Sequence, residues 1–506
     1  MLTVCTLGAK LCSRCPHYPS VPGGPPSKGF VMSNQNLAEK AVSWISHQMR
    51  QRAPYRGDNP FLEGPFAPVA EERTDLNPHV EGSLPPELDG LYARIGPNPL
   101  KVDNPGMYHW FTGDGMVHGV RLSGGQALWY RNRYVGSDTI RDHQQQPHAA
   151  GPRRGPSGVV NTNVFGHAGG IWAATEAGVL PVELDEELNT RRYGYFHSEV
   201  SMPFTAHPHQ DPVDGSLHAI CYDAPRFNEL QYVAISASGQ VDKTVSIPVR
   251  HGPMVHDCAI TARHVIVLDL PITFSFPYLL KGHLFPYRWN PKHGARVGLL
   301  PRDGSADELR WFAVDPCAVF HTANAYELND GRVVLDLVVH PRQFEHSKIG
   351  PDLGADQITF ERWTMDPSRP EAGVSRHVWS TMGQEFPRYD ERLTGRPYRY
   401  AYTVGVSDEP EASAPLIRHD LHTGQVTVRD FGPRCLAGEF VFVPRQGGTA
   451  EDDGWLMGLV YDGIADRSRL EVIRADDITG PPQAVVHLDA RVPMGFHGNW
   501  IPMGGR

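Results

Sequence analysis

The sequence lacks the features of several large classes of protein. It has no run of about eighteen uninterrupted apolar residues, so no transmembrane helix is predicted. Residues 1–30 contain no apolar segment followed by a small-residue cleavage site, so no secretory signal is predicted either. Acidic residues outnumber basic ones by 57 to 47, and no basic stripe could neutralise nucleic-acid phosphates. We therefore expect a cytoplasmic protein without a nucleic-acid partner.

Cysteine is scarce and irregularly placed. Seven cysteines occur in 506 residues, three of them within the first fifteen. An odd, scattered set does not form a disulfide framework and is typical of a reducing compartment. Cys12 and Cys15 have the spacing of half a zinc site, but no second pair follows. The role of Cys5, Cys12 and Cys15 stays open.

Helical patterns are also rare, whereas glycine and proline are frequent. The 51 glycines and 45 prolines separate short runs rich in β-branched residues, such as "HVIVLDL", "RVVLDLVVH" and "GEFVFVP". The length alone would suggest two to four domains, but β-propellers form long single units. This alternation of short β-rich runs with glycine and proline predicts an all-β fold, and the length favours a propeller over a sandwich. No tryptophan–aspartate repeat is visible, so its blades would have diverged.

Two segments differ from this pattern. Residues 35–51 predict an amphipathic helix, and residues 1–31 predict either disorder or an alternative start at Met32. We therefore divide the chain into residues 1–57, a disordered leader with this helix, and residues 58–506, a propeller. Residues 270–289, "LPITFSFPYLLKGHLFPYRW", are aromatic and carry little charge. They form either a core-packing loop or an apolar entrance with peripheral membrane contact, where charges at Phe274, Phe276 or Leu280 would weaken binding.

Four of the 25 histidines share an unusual context. Each ends an apolar run beside a turn, in "FTAHPHQDP", "MVHDCAIT", "FHTANAYE" and "PMGFHGNW", and they are His207, His256, His321 and His497. The inner strands of a propeller could bring such distant residues together at the axis. Neutral imidazoles bind iron, zinc or copper. His209 is a rival for His207, because residues two apart share a strand face.

Three glutamates lie in apolar contexts where a surface residue would be unusual. They are Glu176 in "IWAATEAGV", Glu385 in "GQEFPRYD" and Glu439 in "AGEFVFVP". A metal-bound histidine commonly donates its second N–H to a carboxylate, which fixes the tautomer of the ring. Any one of these glutamates alone would more simply be a strand-end residue or a buried turn anchor. Together with four histidines they favour a metal site.

These motifs, with "NPFLEGPFAPV" and "YHWFTGDGMVHGV", resemble the carotenoid cleavage oxygenases, a family that includes stilbene-cleaving enzymes and the vertebrate retinoid isomerase. The resemblance covers residues 58–502 and suits a bacterial-type member. It implies a seven-bladed β-propeller with a small helical and loop cap over one axial Fe(II) per chain. It also implies that O2 is a co-substrate and that a hydrophobic polyene is the partner.

The resemblance assigns roles by motif. His207, His256, His321 and His497 would bind the iron, with His207 chosen because it directly precedes proline. Glu176 would pair with His256, Glu385 with His321 and Glu439 with His497, which leaves His207 without a carboxylate. Thr162 matches a position beside an open coordination site. His109 and His118 match no ligand, so we interpret them as structural.

The implied activity is oxidative cleavage of a conjugated double bond into two carbonyl products. Stilbene-cleaving members carry a lysine directly before the first of the paired glutamates, and here that residue is Thr175. We therefore expect a carotenoid or apocarotenoid substrate, with a stilbenoid as the alternative unless Tyr134 or another hydroxyl replaces the lysine. A metal hydrolase and a non-catalytic polyene carrier are the remaining hypotheses. The identity of the polyene, the bond cleaved and the oligomeric state are not predicted.

Overall fold

A computed structural model describes residues 37–153, 158–200, 202–352, 354–409 and 412–503. By contact density the chain divides into two compact units, residues 1–40 and residues 41–506. Helix α1 spans Leu37–Gln51, where the sequence predicts a helix over 35–51. The expected disorder of residues 1–31, together with the three cysteines there, lies outside the described residues. Among the helices that are described, none is both long and apolar enough to cross a bilayer.

The described strands form seven antiparallel sheets of four or five strands, so the predicted seven-bladed β-propeller is confirmed. Blade 1 contains β1 Arg73–Leu76, β3 Gly90–Pro97, β4 Gly115–Ser123, β5 Gln126–Tyr134 and β32 Gly498–Pro502. Blade 2 contains β6 Asn163–His167, β7 Gly170–Ala174, β8 Val182–Leu184 and β9 Thr190–Tyr193. Blade 3 contains β10 His209–Gln210, β11 Leu217–Tyr222, β12 Glu229–Ile235 and β13 Val241–Pro248.

Blade 4 contains β14 Ala259–Ile260, β15 His264–Asp269, β18 Arg296–Pro301 and β19 Arg310–Ala313. Blade 5 contains β20 Thr322–Glu327, β21 Val333–Val339, β22 Thr359–Met365 and β23 Ser375–Ser380. Blade 6 contains β24 Gln384–Arg388, β25 Tyr400–Gly405, β26 Leu416–Asp420 and β27 Gln425–Arg429. Blade 7 contains β2 Val80–Gly82, β28 Cys435–Pro444, β29 Gly454–Asp462, β30 Arg467–Arg474 and β31 Ala484–His487.

Insertions between strands carry the remaining elements. Helix α2 spans Asp138–His143, after blade 1. In blade 4, the connection from β15 to β18 contains a hairpin of β16 Ile272–Phe274 and β17 Tyr287–Trp289. Helix α3, Phe276–Leu280, lies between these two short strands. The aromatic segment 270–289 is therefore an ordered insertion rather than a strand of a blade.

The burial of each strand explains its sequence. Every residue of β21, "VVLDLVV", is buried because neighbouring blades cover both faces of the sheet. Such strands have nearly continuous apolar sequences. The outer strand β13, "VDKTVSIP", instead alternates between half-buried and exposed residues along most of its length. This alternation is typical of a strand with one face in water.

Strands from the two ends of the described chain close the ring. In blade 1, β32 pairs with β3, and Leu91 lies opposite Ile501. In blade 7, β2 pairs with β31, and Val80 lies opposite Val486. Each closing strand completes the sheet of a blade whose other strands come from a distant part of the sequence. The ring therefore depends on pairing between residues about four hundred positions apart.

The inner strands β14, β20, β24, β28, β32 and β6 contact each other in that order from blade to blade. Each of the seven blades brings one candidate site residue to its inner strand or to the turn before it. In blade order from 2 to 7 and then 1, these residues are Thr162, His207, His256, His321, Glu385, Glu439 and His497. The repetition of blades thus brings together seven side chains that are spread over almost 340 residues of the sequence.

The closure of blade 1 yields a stability prediction. Ile501 is 7% exposed and packs with Leu91 and Val164, so Ile501→Ala should cost about 2–5 kcal/mol through lost burial and a cavity. The matched control is Ile464→Ala, because Ile464 is 70% exposed. Thermal unfolding followed by circular dichroism should show a lower melting temperature only for Ile501→Ala. Equal melting temperatures would contradict the role of β32 in closing the ring.

Candidate metal centre

Four buried histidines meet on the propeller axis. One ring nitrogen from each of His207, His256, His321 and His497 lies within 4.8 Å of the other three. The Nε2 atom of His321 is 3.3 Å from that of His256 and 3.1 Å from that of His497. The ring of His207 lies 4.5 Å from the rings of both His256 and His497. The four residues selected from the sequence are thus brought together, with the geometry of a metal-binding set.

The protonation of these rings leaves lone pairs facing each other. The Nδ1–H groups of His256, His321 and His497 donate to carboxylates, so in the neutral rings each Nε2 has a lone pair and no proton. Burial, reinforced by the neighbouring histidines, holds the pKa of His207 well below its usual value. The Nε2 atom of His207 is buried without a hydrogen-bond partner among the described residues. A cation between these nitrogens would satisfy all four, so the donor set fits a metal ion such as iron.

Each of the three glutamates accepts a hydrogen bond from one candidate ligand. Glu176 Oε1 is 2.6 Å from His256 Nδ1, and Glu385 Oε2 is 2.6 Å from His321 Nδ1. Glu439 Oε1 is 3.1 Å from His497 Nδ1. In the described part of the chain, no carboxylate pairs with His207, whose backbone N–H donates to Thr205 Oγ1. These pairings are the ones that the resemblance implies.

A further layer of side chains contacts the glutamates. The Tyr222 hydroxyl donates to Glu176 Oε2 at 2.6 Å, and His340 Nε2 donates to Glu385 Oε1 at 2.5 Å. Arg388 donates to Glu439 Oε1 at 3.3 Å, and its side chain is 15% exposed. Burial raises the pKa of Glu439, but Arg388 and His497 outweigh it and lower the pKa to about 2. Sequence reasoning missed these three residues, although His340 ends an apolar run just as the candidate ligands do.

Charge around the site also favours a cation. The three carboxylates are largely buried, with side chains between 2% and 11% exposed. Arg388 lies beside Glu439 but also pairs with Glu391 at 2.7 Å. Among the described residues, Glu176 and Glu385 have no guanidinium or ammonium partner. A metal cation near them would balance their charge, which matters because unbalanced buried charge is costly.

His209 does not compete with His207 as a ligand. Its Nε2 atom donates to Asp257 Oδ1 at 2.9 Å, and Asp257 Oδ2 accepts from the backbone N–H of Thr322 at 2.7 Å. His209, Asp257 and Thr322 lie within two residues of His207, His256 and His321 respectively. The nearby Cys258 is within reach of this pair, but both Asp257 oxygens are already hydrogen-bonded. The cluster therefore connects three ligand-bearing segments rather than forming a second metal site.

Thr162 lies beside His497, whose backbone N–H donates to the Thr162 carbonyl at 3.1 Å. The Thr162 hydroxyl is 2.9 Å from Asn161 Oδ1 and 3.0 Å from the Thr175 hydroxyl. The amide nitrogen of Asn161 donates to two backbone carbonyls, so its Oδ1 must accept the Thr162 proton. The Thr162 oxygen is then left to accept the proton of Thr175. The hydroxyl protons of both threonines are therefore used in the hydrogen bonds that run from Thr175 to Thr162 and from Thr162 to Asn161.

A series of aromatic rings extends from the insertion of blade 4 to the histidines. Phe320 lies 5.4 Å from His256, and Phe111 lies 6.2 Å from Phe320. Phe285 lies 5.4 Å from Phe111. Phe344 contacts the other three phenylalanines, with centroid distances from 4.8 to 5.9 Å. We call these four residues, Phe111, Phe285, Phe320 and Phe344, the aromatic path.

The two other histidines of the glycine-rich motif lie outside the four-histidine cluster. His118 Nδ1 is 3.0 Å from the Tyr130 hydroxyl, inside the sheet of blade 1. His109 stacks on Phe285 with a centroid distance of 4.2 Å. Its Nδ1 atom accepts a hydrogen bond from the backbone N–H of Phe111 at 3.2 Å. The structure thus places His118 within a blade and His109 against the aromatic path.

The pairing of histidine with glutamate yields a prediction. Glu385→Gln should leave the protein folded but weaken metal retention about 10–100-fold, because an amide orients and polarises His321 less strongly. The control is Glu327→Gln, since Glu327 accepts a hydrogen bond from His264 outside the site. Metal release to a chelator, followed spectroscopically, measures the difference. Equal release from both variants would show that the contact with Glu385 does not support metal binding.

Comparison with known proteins places the chain in a family. The sequence model of the family described as retinal pigment epithelial membrane protein matches residues 66–502. A carotenoid cleavage oxygenase of Mycobacterium tuberculosis is 40% identical over 495 residues, which covers 88% of this chain and 98% of the relative.

Two solved structures share the fold. The cobalt-substituted apocarotenoid oxygenase of Synechocystis has a TM-score of 0.76 and 29% identity, covering 86% of this chain and 97% of that one. The lignostilbene dioxygenase of Pseudomonas brassicacearum has a TM-score of 0.78 and 25% identity, covering 89% of this chain and 100% of that one. The family match and the 40% identity over most of both chains lead to one conclusion: this chain belongs to the retinal pigment epithelial membrane protein family, the family of the carotenoid cleavage oxygenases.

Proposed function

We propose that this protein is an Fe(II)-dependent dioxygenase that cleaves a conjugated carbon–carbon double bond of a carotenoid or apocarotenoid into two carbonyl products. The observation that carries the proposal is the four-histidine cluster, with its lone pairs facing one point, at the end of the aromatic path. Membership of the carotenoid cleavage oxygenase family supports the reaction class. One molecule of O2 and one double bond account for both product oxygens.

His207, His256, His321 and His497 would hold the iron. When bound, Fe(II) supplies the electron density that activates O2 toward a closed-shell alkene. The protein side chains orient the ligands, exclude water and position the substrate. The three glutamates fix the tautomers and orientations of their histidines, and the aromatic path excludes water and holds an apolar chain. The position of that chain selects the double bond that reacts.

The hydrogen bond between Thr162 and Thr175 favours a polyene as the substrate over a hydroxystilbene. The Thr175 proton is committed to Thr162, so Thr175 has no free donor for a substrate phenol. The alternative hydroxyl, Tyr134, is buried in blade 1 and lies 2.7 Å from the amide nitrogen of Asn98. A buried phenolate without a donor loses about 1–3 kcal/mol of binding, whereas a polyene chain has no such group. Similarity to the lignostilbene dioxygenase keeps a stilbenoid as the second candidate.

The substrate assignment is tested by direct competition. Iron-loaded protein should cleave an apocarotenal at least about tenfold more efficiently than resveratrol, because a buried phenolate finds no donor. Product aldehydes are quantified by mass spectrometry at matched iron content, with an anaerobic sample as the control for O2 dependence. Faster cleavage of resveratrol would overturn the choice of substrate. Binding of the polyene without any O2-dependent product would indicate a carrier.

The metal assignment is tested by removing one ligand. His497→Ala should lose bound iron and activity together, because three imidazoles hold the ion less tightly than four. The control is His118→Gln, which alters a buried histidine that is hydrogen-bonded to Tyr130 away from the cluster. Elemental analysis after purification with iron measures occupancy and detects zinc, the metal expected of a hydrolase. Full iron occupancy in His497→Ala would contradict the assignment.

We also propose that a polyene enters from a membrane surface beside the blade 4 insertion. Phe276 and Leu284 are 46% and 50% exposed, and Trp44 of α1 is 65% exposed. The backbone of Arg50 packs against Gly282, so the end of α1 lies against this insertion. Phe274 and Leu280 are half-buried, and Phe274 contacts Tyr287 within the core. The exposed residues, rather than the whole segment, therefore form the proposed contact.

Charge on this face should weaken the membrane contact. Phe276→Asp and Leu284→Asp should each reduce co-sedimentation with liposomes, because a carboxylate is disfavoured at the acyl boundary. Iron content should stay unchanged, since neither residue belongs to the four-histidine cluster. The control is Ile464→Asp, which changes an apolar residue that is even more exposed, at 70%, and lies outside the insertion. Unchanged liposome binding in both insertion variants would indicate that residues 270–289 pack against the core and do not contact a membrane.

A further inference from the structure

One buried histidine beside the aromatic path has an unused hydrogen-bonding atom. His109 is 3% exposed, and its Nε2 atom has no hydrogen-bond partner among the described residues. Within that part of the chain, the only other histidine with a buried unpartnered nitrogen is His207, where the nitrogen faces the proposed metal position. Tyr402 and Trp455 also have a buried polar atom without a partner in the described part of the chain, but they lie in blade strands, whereas His109 lies against the aromatic path. Its ring nitrogen is therefore placed where a ligand in the path could satisfy it.

The tautomer of His109 follows from its other nitrogen. Nδ1 accepts a hydrogen bond from the backbone N–H of Phe111, where His109 caps the short helix Trp110–Thr112. Burial, reinforced by His283 and Arg288, lowers the pKa of His109 to about 3, so the ring is neutral near pH 7. A neutral ring carries one proton, and Nδ1 cannot hold it while accepting. Nε2 therefore carries the proton and acts only as a donor.

The surroundings of this donor are aromatic. The ring of His109 stacks on Phe285 at 4.2 Å and lies 5.1 Å from Phe111 and 5.9 Å from Phe344. These three phenylalanines belong to the aromatic path, which continues through Phe320 to His256. A single N–H donor in such an environment recognises an oxygen on an otherwise apolar molecule.

We propose that His109 is a specificity-determining residue, whose Nε2–H donates a hydrogen bond to an oxygen of the substrate. The preferred substrates are then oxygenated polyenes, with a terminal carbonyl or an end-ring hydroxyl, rather than hydrocarbon carotenes. This inference rests on the proposed function, because it requires a polyene in the aromatic path. A substrate without oxygen would leave the Nε2–H unsatisfied and bind more weakly.

Binding to the iron-loaded protein under anaerobic conditions tests the inference without relying on catalysis. The probes are an apocarotenal and the hydrocarbon of the same length that lacks the carbonyl oxygen, followed by quenching of tryptophan fluorescence. The unmodified protein should bind the apocarotenal about tenfold or more tightly. Equal affinities would overturn the proposal, and this comparison requires no variant. A water molecule as the sole partner of Nε2 would give the same equal affinities.

Two substitutions separate the capping role of His109 from its donor role. His109→Asn keeps an acceptor near Nδ1 that can cap Phe111 but lacks a donor at the Nε2 position. His109→Gln places an amide N–H close to the Nε2 position. The preference for the apocarotenal should disappear in His109→Asn and be retained largely in His109→Gln. His118→Asn is the matched control, because His118 is equally buried but bonds Tyr130 inside blade 1.

The outcomes distinguish this inference from the proposed function. If the iron-loaded protein cleaves neither polyene in air but prefers the apocarotenal in anaerobic binding, the proposed reaction fails and the role of His109 stands. If both polyenes are cleaved and His109→Asn keeps the original preference, the role of His109 is wrong and the reaction stands. The melting temperature of each variant shows whether a loss of binding comes from a less stable fold, caused by the missing cap on Phe111.

Discussion

The site depends on one electrostatic constraint, which is that four imidazoles meet inside a low-dielectric interior, three of them with Nδ1–H groups that donate to carboxylates. Their Nε2 atoms, 3.1–3.3 Å apart, repel each other unless a proton or a metal cation lies between them. The propeller makes this arrangement possible because blades 3, 4, 5 and 1 each place one histidine just before an inner strand. The strand pairings at β2 and β32 therefore support the site as much as they support the fold.

The three histidine–glutamate pairs are not equivalent, because each carboxylate has a different second partner. Glu176 accepts from the phenol of Tyr222, Glu385 from the ring of His340, and Glu439 from the guanidinium of Arg388. The guanidinium beside Glu439 offsets part of the negative charge of the pair with His497, which is also the longest of the three pairs at 3.1 Å. The negative charge that could compensate a bound metal is thus concentrated on the side of His256 and His321.

Much of the fold and of the site could be predicted from the sequence, and the physical reasons are specific. Strands such as β21 can be recognised in the sequence because a strand that is buried on both faces needs a continuous apolar run. The histidines and glutamates stand out because ionisable residues are rare at the ends of such runs. Arg388, Tyr222 and Asp257 could not be predicted, since their local sequences resemble ordinary strand ends and only the fold shows which distant residues they contact. Within residues 270–289, alternation did not distinguish the packed Phe274 from the exposed Phe276, because a short hairpin and a helix replace a regular strand there.

In the proposed site, four neutral imidazoles, and no other side chains, form the protein ligands of one iron ion. Iron K-edge X-ray absorption on the iron-loaded protein is the most direct test, with metal analysis giving the stoichiometry. We predict one iron per chain, a ferrous edge and multiple scattering from four imidazoles. A spectrum with fewer than four imidazoles, or with a sulfur ligand from Cys258, would contradict this ligand set.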